Sequence, residues 1–117
     1  MTIKTYDDLA KAVRDAGNVL SCPMGTLRDV HGSGKLGIHV VRNISEELAR
    51  HGLGHYPEEL PQDQWKNARI YRLGTPVAKV IRAVTSPDDK GDKVLRDIGG
   101  AEANDILKRI RELVCDE

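Results

Sequence analysis

Apolar positions recur with helical spacing over most of the chain, and runs too short to be helices separate some of those stretches. Tyr6, Leu9, Ala12, Val13 and Ala16 predict a helix over 5–16, with Thr5 as N-cap, Asp8 charged at its third position and Gly17 as its stop. Val19–Cys22 is a four-residue apolar run, a brief strand or extended chain, broken by Pro23. Met24–His31 then reads as a short helix with Leu27 and Val30 inward. After the turn Gly32-Ser33-Gly34, the residues Leu36, Val40, Ile44 and Leu48, with Val41 alongside, form the stripe of a long helix over 35–51. Its opposite face carries Lys35, His39, Arg42, Asn43, Glu46 and Arg50. The β-prone Ile38–Val41 and a capping box at Asn43–Glu46 suggest a rival strand over 36–42 with a short helix after it. One helix is preferred, because the stripe passes position 43 without a change of phase.

Further along, 54–64 holds Pro57 and Pro61 and reads as a loop, and Ala68–Arg72 reads as a strand stopped by Gly74. Thr75-Pro76 is a helix start, a Thr N-cap followed by Pro at the first helical position, for a helix over 76–84. Ser86–Asp92 reads as a mobile loop and 93–98 as a helical turn cut off by Gly99-Gly100. The last helix, 101–114, carries the stripe Ala103, Ile106, Leu107, Ile110, Leu113 and Val114, a candidate seam for a homodimer. The expected fold is mainly α with a small β component, in a single domain over 1–117. Its parts are a core over 5–72, an added helix at 75–85 and a C-terminal helical segment at 93–115.

Composition sharpens this picture. The aromatics are Tyr6, Tyr56, Trp65 and Tyr71, with no Phe, so the core has to be aliphatic, which favours packed helices over a β-sandwich. Two cysteines, Cys22 and Cys115, make no disulfide framework, and no run approaches the length of a membrane span. A soluble, cytoplasmic protein is expected. Formal net charge is zero, which counts against a dedicated nucleic-acid binder. The distribution is uneven, however. Trp65–Val84 holds Lys66, Arg69, Arg72, Lys79 and Arg82 with no acid, whereas Gly54–Gln64 carries −3 through Glu58, Glu59 and Asp63. From Ser86 onward the charge is again −3.

Candidate chemistry is sparse. Gly32–Gly37 matches G-x-G-x-x-G, but a helix rather than a strand precedes it. A phosphate-binding loop would need Gly at Asp29 and a hydroxyl at Leu36, so nucleotide hydrolysis is rejected. Lys35 beside free N–H groups at a helix start could hold a phosphate, although the glycines also serve simply to allow a tight turn. His51 and His55 are spaced H-x3-H, yet Gly52 and Gly54 keep them off a common helix face, and neither cysteine adds a paired ligand. No metal, no cofactor and no enzyme activity are expected. The acidic pairs Asp7-Asp8, Glu46-Glu47, Glu58-Glu59 and Asp88-Asp89 are explained by solvation or by helix dipoles.

The order helix 5–16, short strand 19–22, helix 24–31, three-residue turn, helix 35–51 and strand 68–72 resembles the winged helix-turn-helix superfamily over residues 5–72. The likeness is one of element order and length. It departs from that pattern where Thr75-Pro76 begins a helix in place of a second wing strand. The resemblance implies a small DNA-binding protein, a transcriptional regulator, with Lys35, His39, Arg42 and Asn43 facing the major groove. Arg69 and Arg72, together with Lys79 and Arg82, would then contact phosphates. The alternative on the same scaffold is a protein-interaction or adaptor domain without nucleic-acid affinity.

Overall fold

The computed structural model describes residues 2–100, and the chain divides into two compact units, 1–78 and 79–117. The described residues form a mixed α/β structure of five helices and one three-stranded antiparallel sheet.

The first unit opens with α1, Tyr6–Asp15. Thr5 caps it as expected: its hydroxyl accepts from the Asp8 N–H at 3.1 Å, and the Asp8 carboxylate accepts in return from the Thr5 N–H at 3.2 Å. Leu9 and Val13 point into the core. β1, Val19–Pro23, resolves the ambiguous apolar run as a strand, and α2, Met24–His31, follows it without a linker. No side chain caps α2. Its first free donors go elsewhere: the Met24 N–H donates to the Lys66 carbonyl at 2.8 Å and the Gly25 N–H to that of Gln64 at 3.0 Å.

α3 spans Ile38–Arg50, three residues later at its start than the pattern predicts. Ser33–Gly37 stays outside the helix, where the Ser33 hydroxyl donates to the Lys35 carbonyl at 3.0 Å. Leu36 still reaches the core, but from the preceding loop, and the buried stripe on the helix itself is Val41, Ile44 and Leu48. Residues 38–42 are helical, so the rival strand is excluded.

A larger departure follows. The predicted loop over 54–64 begins as a strand, β2, Leu53–Tyr56, entered through Gly52 at φ +72°, a left-handed turn that favours glycine. Only Leu53 in β2 is fully buried, so four residues leave too little alternation to read. β3, Asn67–Arg72, lies between the other two strands in the order β1-β3-β2. Its Ala68 and Ile70 face inward while Asn67 and Arg69 face outward. The core gathers Leu9, Val13, Met24, Leu27, Ile44, Leu48 and Ile70, all fully buried and without an aromatic ring. Cys22 is part of it, and burial pushes its thiol up to about 11, which leaves it a poor nucleophile.

Tyr6 ties three helices together. Its hydroxyl lies 2.8 Å from His31 Nδ1 at the end of α2, and its ring stacks on His51 just past α3, with centroids 5.2 Å apart. Burial, assisted by the nearby Glu47 carboxylate, pushes the Tyr6 phenol up to about 12.

α4, Pro76–Thr85, starts where Thr75 predicts, with the Thr75 hydroxyl accepting from the Ala78 N–H at 3.3 Å. In the second unit, the expected mobile loop over 86–92 is a tight turn into α5, residues 89–100. The Asp88 carboxylate accepts from the Gly91 N–H at 2.7 Å, so Asp88 caps α5. Gly91 permits the close approach, because a Cβ there would sit 2.9 Å from the Ala83 and Ser86 carbonyl oxygens. Gly99 and Gly100, expected to cut the helix, are helical. The helix expected over 101–114, the dimer seam on it and Cys115 lie outside the described residues. No described helix is long and apolar enough to cross a membrane.

Two outcomes are expected. Gly54 lies opposite Tyr71, and a Cβ on it would come within 2.6 Å of the Tyr71 ring. Gly54→Ala therefore costs about 1 kcal/mol in urea unfolding, and the cost disappears in a Tyr71→Ala background. Raising the Tyr6 phenol means that the folded state holds its proton more tightly than the unfolded chain. Its contribution is complete below pH 10 and is lost as the pH rises from about 10 to about 12. A 295 nm titration shows one phenol ionising near pH 12 that Tyr6→Phe removes; its persistence in that variant rejects the assignment.

Candidate functional site

The exposed side of α3 and the connection between β2 and β3 form the most differentiated surface of the first unit. Ile38, His39, Arg42, Asn43, Glu46, Ala49 and Arg50 are exposed along α3. The connection, residues 57–66, does not project freely. Leu60 is only 7% exposed and joins the core, and the Gln64 and Lys66 carbonyls are those held by the start of α2. The Gln64 side chain also accepts from the Arg28 guanidinium. The loop thus lies back against the domain at both arms.

Its near arm is fixed to α3 through His55. The Pro57 carbonyl can only accept, so the proton of His55 sits on Nδ1, 2.8 Å away. Nε2 is then the acceptor for the Ser45 hydroxyl at 2.7 Å. The pair has the distances of a serine nucleophile and its base. Yet Ser45 lies in mid-helix, where the neighbouring backbone N–H groups are committed to the helix and none is free to hold an oxyanion. The relay Ser45–His55–Pro57 therefore positions the loop.

Between loop and helix runs a groove of about 200 Å3, lined by Ile38, Val41, Arg42, Ser45, Glu58, Glu59, Leu60 and Gln62. Its floor is apolar and its rim carries one cation and two carboxylates.

The residues expected to form a DNA-reading face are spread over several elements of the first unit, with two of them in the second. His39, Arg42 and Asn43 are exposed on α3 as expected, whereas Lys35 precedes the helix. Arg69 is on the outward face of β3. Arg72, three residues on, falls on the opposite face by strand alternation and lines a cleft with α1. Lys79 and Arg82 belong to the second unit, where they line a cavity with Lys90. Ten basic and nine acidic side chains occupy residues 2–78.

Three features escaped the linear pattern. Glu58 and Glu59 read as ordinary loop acids, but the closed loop brings them to the groove that Arg42 also lines. Ile38 is 49% exposed at the mouth of the groove, off the helix stripe, and that misfit with the period is a signal in the sequence. Trp65 is 82% exposed, an isolated aromatic where the loop passes α2. The histidines share no ligand site, since His51 is engaged with the Glu47 carbonyl and His55 with Ser45 and Pro57. No cluster of three metal-ligating side chains occurs among the described residues.

Comparison with known proteins finds no matching family model, no similar curated protein and no matching solved structure.

If the relay holds the loop, Ser45→Ala costs about 1 kcal/mol of unfolding free energy, the value of one hydrogen bond, and speeds amide exchange in residues 53–56. Unchanged exchange there rejects the positioning role.

Proposed function

We propose that residues 2–78 are a winged-helix module that engages a protein partner through the groove between α3 and the β2–β3 loop. The winged-helix assignment is supported by the element order α1-β1-α2-α3-β2-β3 and by the strand order β1-β3-β2. In this reading β2 and β3 are the two wing strands, and the loop 57–66 is the wing. Both wing strands then precede Thr75-Pro76, so the helix there no longer conflicts with the resemblance.

The observation that carries the choice of partner is the company Arg42 keeps. Glu58 and Glu59 line the same groove, and each lies where a DNA backbone would bring further negative charge. A groove with an apolar floor of Val41 and Leu60, the exposed Ile38 at its mouth and a rim of mixed sign suits instead a peptide segment. Such a segment would offer an apolar side chain flanked by charges of both signs.

One observation favours the second reading, DNA binding by a transcriptional regulator. His39, Arg42 and Asn43 are exposed together on the first half of α3, where a recognition helix presents its base-reading side chains.

Fluorescence anisotropy with a labelled random duplex separates the two. The protein-partner reading expects no duplex binding that depends on Arg42 at about 50 mM salt, where non-specific phosphate contacts are still strong. Binding that weakens steeply toward 200 mM salt and falls further in Arg42→Ala overturns it in favour of DNA.

A further inference from the structure

Apart from the Arg42 groove and sharing no residue with it, side chains from separate elements surround a cleft of about 300 Å3. Asp7, Ala10, Lys11 and Arg14 supply one wall. Their spacing of three, four and seven residues puts them on one face of α1. Leu53 and Arg72, direct partners in the β2–β3 ladder, supply another, and His51 closes the cleft where α3 ends. Three permanent cations thus meet one carboxylate and one imidazole.

That carboxylate neutralises little. Asp7 is 93% exposed and its Oδ1 lies 3.7 Å from His51 Nε2, at the rim. Arg14 touches Asp15 at 3.5 Å, with both side chains about half exposed, a pair of small energetic weight. Among the described residues, neither Lys11 nor Arg72 has an acidic partner within 4.0 Å. Arg14 alone could be explained as a cation in the last turn of α1. Arg72 cannot, because it reaches the cleft from the end of β3. The carbonyl end of α3, which would repel an anion, is partly satisfied from within: Glu47 O accepts from both the His51 backbone N–H and Nδ1.

We infer that this cleft binds a phosphoryl group, held by Lys11, Arg14 and Arg72. A guanidinium presents paired donors that match phosphate oxygens, and a lysine adds a point charge. The volume holds one phosphoryl group with part of whatever carries it. The carrier is a small phosphorylated compound or a nucleic-acid backbone, which share this chemistry. The inference does not depend on the protein-binding role of the α3 groove, whose residues are all different.

The test is an amide-resolved NMR titration of the full chain with inorganic phosphate, against sodium chloride of equal ionic strength. Saturable shifts are expected in Lys11–Arg14, His51–Leu53 and Arg72, with a Kd in the millimolar range. They are lost in Lys11→Gln/Arg72→Gln, while Arg42→Gln leaves them intact. The double variant's dispersed spectrum shows that it is folded. A second arm replaces phosphate with a random duplex. The same amides shifting at micromolar duplex identify a backbone phosphate, and a response to phosphate alone identifies a small compound. The inference is overturned by non-saturating shifts, by shifts that persist in the double variant, or by shifts spread equally over Lys79 and Arg82, each of which means an adventitious ion only.

Discussion

The structure of the first unit depends on the central place of β3. It hydrogen-bonds to β1 on one side and β2 on the other, and Ile70, midway along it, is fully buried. A strand in that position has no freedom of register. A shift of one residue would turn Ala68 and Ile70 out of the core and bring Arg69 in. Once β3 is fixed, the chain must travel from the open end of β2 back to the start of β3, and the intervening residues 57–66 close over the domain.

The closure is what shapes the candidate surfaces. Leu60 enters the core, α2 takes the Gln64 and Lys66 carbonyls for its unpaired N–H groups, and Ser45 and His55 fix the other arm to α3. Each contact satisfies a group that would otherwise be buried without a partner or left exposed and apolar. Two acidic side chains are thereby brought to the groove that Arg42 lines. Alternation along β3 has the opposite effect on its own arginines, sending Arg69 outward from the sheet and Arg72 toward α1. Two neighbours in the basic stretch of sequence thus lie on opposite faces of one strand.

The same division leaves a concentrated site elsewhere. The face of α1 that meets the hairpin carries Lys11 and Arg14, and the end of β3 adds Arg72. Those three are separated by up to sixty-one positions in the chain and share no motif. The fold therefore gathers at one cleft cations that the linear order keeps apart.

The sequence by itself determined where several helices begin, although Gly99-Gly100 did not stop the helix they were expected to cut. Thr5 and Thr75 start α1 and α4 because a hydroxyl beside free N–H groups is sufficient cause, and Val41, Ile44 and Leu48 face inward because helical period places them on one side. It also identified α2 and β3 within a residue or so, and His39, Arg42 and Asn43 as an exposed helical face, while leaving 19–22 open between strand and extended chain. Only the tertiary structure decided that Leu53–Tyr56 is a strand, because ten residues separate it from its partner, β3, and the segment carries almost no periodicity of its own. Only the tertiary structure decided that the loop 57–66 turns back, and which charges meet. Charge proximity across a fold depends on strand order and on which face each residue occupies, and neither is written in the spacing of charges along the chain.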